Sequence, residues 1–430
     1  MTSFCSTPDE RPWDGRFRVC CGSVSIHPLH VRTRPPAAVM AAAFVSSFDR
    51  FAVGPLLVIV AADLGASLAQ TTAIASGYFL AYGLSQPVWG VLSDRHGRIR
   101  LMRASLVAAA AAGFLSALMP GLGALIAARA LTGAFFGAII PTSLTYIGDT
   151  ADETHRQPAL SDLMASVAVG TALATAAAGV LAQLASWRLV FAVPSVLALG
   201  CALALGRLPE PRGDIQAGMA TTVRQTLRQT LGNRWVVGVV TLALVEGAVV
   251  LGILTLLAPA LQSRGVDASS AGLTIAAYGV SVLLATRVVK ILSRRLPMAA
   301  LMGVGGTAVV LAYATLALHI SIATVLAAAC LLGVTWAFLH SSLQTWATSV
   351  LPHARGTVVS LFAACLFAGS SFAASAAAPL ADHGRWSLLF ALTSAIAIVL
   401  TVAAVLGYRT YRHRHRSDQP TGSTTGNADG

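Results

Sequence analysis

Asp49, Arg129 and Glu246 stand inside otherwise apolar stretches of this sequence, and charges kept in such surroundings are expensive and functional by default. Desolvation raises the proton affinity of a carboxylate, so Asp49 and Glu246 are candidates to carry a proton or to meet a cationic substrate. Arg129 could pair with Asp49 and be freed when the acid is protonated. The blander alternative is a structural Asp49–Arg50 pair, with Arg50 about 100° around the helix and satisfied by a neighbour. Trp336, His340 and Gln344 recur at i, i+4 and i+8 and form one stripe of a helix. Tyr78 and Tyr82 share the four-residue spacing. Both sets are cavity-lining candidates, since an aromatic and polar stripe on an apolar helix suits a small-molecule site. The sequence holds no GxxxxGK[ST] loop, no HExxH and no triad pattern, so no catalytic residue is assigned and the chain is not read as an enzyme. Of six cysteines, Cys5, Cys20 and Cys21 lie in a polar head and Cys201, Cys330 and Cys365 in apolar runs; no CxxC occurs, so neither a metal site nor a disulfide framework is expected.

These residues need elements that place them within a membrane. The 430-residue chain is 56% hydrophobic, 11% charged and has a mean hydropathy of +0.72, whereas soluble chains carry about 25% charged residues. Apolar runs of the length that crosses a bilayer cover roughly 38–60, 71–92, 101–119, 122–146, 160–184, 188–206, 235–257, 269–291, 298–317, 322–346, 357–379 and 386–407. The expected organisation is a disordered cytoplasmic head (1–37), a six-helix bundle (38–206), a cytoplasmic central loop (207–234), a second six-helix bundle (235–408) and a disordered cytoplasmic tail (409–430). The head has no apolar signal-peptide core, and Met40 is a plausible alternative start.

Net charge is +12, from 29 Lys+Arg against 17 Asp+Glu. The basic residues are scattered in short bursts between apolar runs, which argues against nucleic-acid binding. With a cytoplasmic N-terminus, 24 of the 29 fall on cytoplasmic segments and only Arg188, Arg264 and Arg385 on the other side. The positive-inside rule therefore places both termini in the cytoplasm. The basic C-terminal segment reads as an anchor at anionic lipid.

An internal repeat runs through the chain. Ala81-Tyr82-Gly83-Leu84-Ser85 returns as Ala277-Tyr278-Gly279-Val280-Ser281, offset by 196. Trp187-Arg188-Leu189-Val190-Phe191-Ala192 returns as Trp386-Ser387-Leu388-Leu389-Phe390-Ala391, offset by 199. Arg156 and Ser161 align with Arg355 and Ser360. Asp49 and Glu246 each lie twelfth in repeat-equivalent runs, which predicts similar midplane depth. Parallel repeats of this kind place a substrate site where the halves meet.

Between the second and third runs stands Gly90-Val91-Leu92-Ser93-Asp94-Arg95-His96-Gly97-Arg98-Ile99-Arg100. It resembles the signature loop of the major facilitator superfamily, G-x-L-A/S-D-R-x-G-R-K/R, matching at Gly90, Leu92, Asp94, Arg95, Gly97 and Arg98 and departing at Ile99. Gly90 would allow close helix approach and Gly97 a tight turn. The resemblance implies that Asp94, Arg95 and Arg98 latch the halves together on the cytoplasmic side. Arg129-Ala130-Leu131-Thr132-Gly133 resembles the family's R-x-x-Q-G element, with Thr132 in place of Gln; there the arginine assists proton transfer. Gly170-x-x-x-Ala174-Thr175-x-x-Ala178-Gly179 resembles the antiporter element G-x-x-x-G-P-x-x-G-G without its proline.

The expected fold is accordingly an all-α membrane protein, with twelve transmembrane helices in two pseudo-symmetric six-helix bundles. The resemblance to the twelve-helix drug and metabolite proton antiporters implies proton-coupled efflux of a drug-like compound or metabolite by alternating access, in the plasma membrane. No cofactor is expected beyond the proton gradient as energy source, and the partners are a small-molecule substrate, protons and the bilayer, with the chain a monomer. Uptake of a sugar, carboxylate or other nutrient, proton-coupled or facilitative, is the alternative on the same fold. A non-transporting sensor or scaffold is the alternative from another class.

Overall fold

The computed structural model describes residues 35–211 and 230–417. Twelve long helical spans follow one another: α1 (Ala37–Leu64), α2 (Leu68–His96), α3 (Arg98–Leu118), α4 (Leu122–Thr150), α5 (Glu153–Leu184), α6 (Trp187–Leu205), α7 (Arg234–Gln262), α8 (Ala268–Leu292), α9 (Met298–Leu318), α10 (Ile322–Val350), α11 (Arg355–Asp382) and α12 (Trp386–Ser417). No strand occurs among the described residues. Eleven spans are long and apolar enough to cross a bilayer; α2 is more polar, carrying Gln70, Thr71, Thr72, Gln86 and Asp94 along its length.

Most helices outrun the apolar stretches that predict them, because polar caps carry the helix past the hydrophobic boundary. Ser67 and Gln70 form a capping box at the start of α2, and Asp152, Asp267 and Ser321 accept backbone N–H groups at the starts of α5, α8 and α10, filling orphan donors of the first turn. The tail expected to be disordered from residue 409 is a correction: α12 stays helical to Ser417. Aromatic packing extends it, with the rings of Tyr408 and Tyr411 lying 5.4 and 5.7 Å from Trp346, and Tyr411 5.4 Å from Trp235. Residues 1–34, 212–229 and 418–430, which hold most of the expected head, central loop and tail, lie outside the described residues.

Eight spans run as unbroken helix, and the four interrupted ones are α1, α4, α7 and α10. In α1 a 3-10 turn at Gly54–Leu56 breaks the helix; α4 breaks between Phe136 and Ile139. Spans α7 and α10 contain π-helical turns at Ala248–Gly252 and Trp336–His340. These are the first and fourth helices of each half. A broken helix inside a membrane needs other donors for its freed carbonyls. Ser85 Oγ and Trp89 Nε1 donate to the Ala134 carbonyl, at 2.9 and 2.6 Å. The Tyr313 hydroxyl donates to Val249, and Ser370 Oγ to Gly247.

The sequence repeat is repeated in contacts. Ser85 Oγ donates to the Ala134 carbonyl and Ser281 Oγ to the Cys330 carbonyl, at 2.9 and 2.7 Å, with partners 49 residues apart both times. A Cβ at Gly137 would fall 2.8 Å from the Tyr82 carbonyl oxygen; one at Gly333 would fall 2.8 Å from that of Tyr278. Each half therefore packs its second helix against its fourth through the same glycine and serine. Between the halves, α2 packs on α11 and α5 on α8, again a symmetry-related pair.

Candidate functional site

Asp49 on α1 and Arg129 on α4 meet inside the first half. Arg129 Nη1 and Nη2 donate to the two carboxylate oxygens at 2.9 Å each, and Nη2 also reaches the Asp49 carbonyl at 3.3 Å. Both side chains are 1% exposed. The guanidinium lies 4.7 Å from the centroid of Tyr78 and 4.5 Å from that of Phe191. A bidentate charge-assisted pair between aromatic faces is a strong, directional contact. Arg129 Nε and the Tyr78 hydroxyl remain buried without hydrogen-bond partners. Thr132, where the family element has Gln, donates to the Ala128 carbonyl of its own helix.

Glu246 on α7 and His340 on α10 are the corresponding pair of the second half, built between the equivalent helices. His340 Nδ1 stands 3.2 Å from Glu246 Oε2. Glu246 is 0% exposed, and its Oε1 has no hydrogen-bond partner. His340 closes the π-helical turn and stacks on Trp336 with centroids 3.7 Å apart; Phe362 lies 5.7 Å away. The predicted stripe is thus divided. Trp336 and His340 belong to this cluster, whereas Gln344 is exposed.

Arg50 is not the structural partner of Asp49 that the blander sequence reading offers. Asp49 is committed to Arg129, and no carboxylate pairs with Arg50 among the described residues. Its guanidinium lies 4.9, 5.1 and 5.5 Å from the ring centroids of Phe51, Tyr82 and Phe367. Tyr82 stacks on Tyr78 at 6.0 Å and meets Phe367 at 4.6 Å. The two predicted tyrosines therefore bridge the arginines: Tyr78 faces Arg129 and Tyr82 faces Arg50. Phe367, from the second half, was not legible as a site residue, since nothing in its local sequence sets it apart from other apolar positions.

At the α2–α3 turn, Arg98 pairs with Asp94 and, at 3.2 Å, with Asp149 at the end of α4. Arg95 is exposed. These pairs lie within the first half. Gly97 adopts a φ of +96°, a conformation costly for residues with a Cβ, and a Cβ there would fall 2.6 Å from Glu210 Cδ. The Glu210 carboxylate accepts the Ile99 and Arg100 N–H groups at 3.0 and 3.1 Å, where a helix N-terminus favours negative charge. Sequence reasoning missed Glu210. Gly90 is a correction: a Cβ there would meet nothing within 4 Å, although Gly83, two turns earlier on the same face of α2, packs against α11.

Side-chain hydrogen bonds crossing between the halves cluster at the opposite end. Asp382 Oδ1, ending α11, accepts the Leu68 and Ala69 N–H groups that open α2, at 2.9 and 3.4 Å. Gln183 Oε1, ending α5, accepts the Ser269 N–H at the start of α8, at 3.0 Å. Gln262 Nε2 donates to the Pro55 carbonyl at 3.0 Å. Positions 183 and 382 are 199 apart, so the first two clamps are repeat-equivalent. The small residues of α5 serve this seam: Gly179 faces the Ala268 backbone, and Gly272 faces that of Thr175.

The sequence profile of the Major Facilitator Superfamily matches residues 39–374. The chain belongs to that superfamily. It is 30% identical over 135 residues to a triacylglyceride transporter of Mycolicibacterium hassiacum, an alignment covering 31% of this chain and 25% of the relative. It is 35% identical over 130 residues to a multi-drug resistance efflux pump PmrA homolog of Lactococcus lactis, covering 30% of each. These alignments span between a quarter and a third of the relatives' length. In fold, the chain is similar to the inward-facing, unoccupied structure of a bacterial homolog of the human lysosomal transporter Spinster, with a TM-score of 0.71 and 16% identity over 87% of this chain and 96% of that one. As a superfamily member it is a multi-pass membrane transporter with two six-helix halves.

Proposed function

We propose that this transporter exports drug-like compounds or small metabolites in exchange for protons, by alternating access in the plasma membrane with both termini cytoplasmic. The observation that carries the reading is the unequal pairing of the two buried carboxylates. Asp49 is held by Arg129 through both oxygens, whereas Glu246 has one oxygen facing His340 and one unpartnered. An unpartnered carboxylate oxygen leaves a place for a proton, whereas one held by a guanidinium does not. Glu246 is then the proton carrier, His340 its relay, and the Asp49–Arg129 pair a fixed strut that opens only with larger rearrangement. The name of the efflux-pump relative from Lactococcus lactis supports the outward direction, and the arginine distribution supports the orientation. In that orientation the repeat-equivalent clamps close the extracellular side, and the substrate path opens toward the cytoplasm.

The test is purified protein in proteoliposomes with a pH-reporting dye trapped inside, challenged with lipophilic cations and neutral metabolites under an imposed pH gradient. Compound-triggered proton movement that disappears in Glu246→Gln is the expected result. Labelled-substrate exchange with no proton movement would sink the coupling and leave a facilitator.

A further inference from the structure

We infer that Arg50, with the rings of Phe51, Tyr82 and Phe367, forms a recognition site for the acidic group of an amphipathic organic anion at the seam between the halves. Three observations carry this. First, Arg50 is a permanent cation within a membrane-spanning helix, yet no carboxylate pairs with it among the described residues, and its nearest acid in sequence is held by Arg129. Second, its donors are underused. A guanidinium has five N–H donors; here Nη2 makes one long contact to Ser47 Oγ at 3.5 Å, and Nε is buried without a partner. Rings attract a guanidinium over their faces but offer no acceptor for its in-plane N–H groups. Those groups match the paired oxygens of a carboxylate or sulfonate, for which arginine's planar fork is suited. Third, the surrounding rings come from both halves: Phe51 and Tyr82 from the first, Phe367 from the second. Tyr82 and Phe367 are buried in this state, 1% and 5% exposed, so an apolar body reaches them as the halves part, and a ligand seated there bridges both.

This inference rests on reading the seam as the substrate path, and it adds the charge of the substrate, which that reading leaves open. The experiment compares two probes of one shape on the full-length protein in detergent, naphthalene-1-sulfonate and the uncharged naphthalene-1-sulfonamide, by quenching of tryptophan fluorescence. Wild type is expected to bind the sulfonate at least tenfold more tightly. Arg50→Gln should bring that ratio to near one, and Arg50→Lys should restore part of it, because it returns the charge without the fork. A wild type that binds both probes equally, or neither, overturns the assignment, as does a ratio that survives in a folded Arg50→Gln. Counterflow in proteoliposomes is scored separately: selective binding without flux leaves the anion site standing and removes the transport reading.

Discussion

Arg129 holds Asp49 through both terminal nitrogens at 2.9 Å, with each residue 1% exposed. Its counterpart, Glu246 with His340, makes a single contact of 3.2 Å. Two halves of common design have thus placed an acid and a base on the same pair of helices and given them different strengths. Removing one member of the tight pair strands the other as a buried charge, which costs about 3–5 kcal/mol. Arg129→Leu and Asp49→Leu are each expected to lower the thermal midpoint in detergent sharply, while the double variant recovers much of the loss. Equal, additive losses would mean that the pair is not coupled.

Glu246→Gln keeps the shape and removes the proton. Compound-triggered pH change in proteoliposomes should vanish, while exchange of labelled substrate across the membrane persists. His340→Ala should slow proton movement without abolishing it, because the histidine meets the carboxylate through one nitrogen only.

The clamps at Asp382 and Gln183 cap helix N-termini of the opposite half. A side-chain cap contributes about 1 kcal/mol, so Asp382→Ala with Gln183→Ala together should shift the balance between the two open states by tenfold or more. Spin labels at Ala66→Cys and Arg264→Cys, in a background without native cysteines, would report the change. A longer distance population should grow in the double variant, and an unchanged distribution would show that the clamps do not hold the seam.

Gly83 packs against α11, where a Cβ would fall 2.6 Å from that of Phe367 and 3.2 Å from the Ala364 carbonyl oxygen. Overpacking of this kind costs roughly 1–3 kcal/mol. Gly83→Val should weaken the present arrangement of the halves and reduce transport several-fold. Gly90→Val, at a position with open space, should leave the same assay within a factor of about two.

The sequence by itself determined the membrane fold, because twelve apolar runs, an offset near 196 residues and a one-sided distribution of arginine are properties of composition and order. It also marked Asp49, Arg129 and Glu246, since a charge in an apolar run is conspicuous without any structure. Tertiary structure alone decided which charges were satisfied. Asp49 could equally have served Arg50, one residue away, and only the approach of α4 to α1 gave it to Arg129. Glu246 gained His340, 94 residues distant, where one π-helical turn ends at His340 and another begins two residues after Glu246, irregularities that no periodicity announces. Phe367 and Glu210 are ordinary residues in their local sequence, and their roles come from what folding brings beside them: an arginine without a counter-charge in one case and a helix N-terminus in the other.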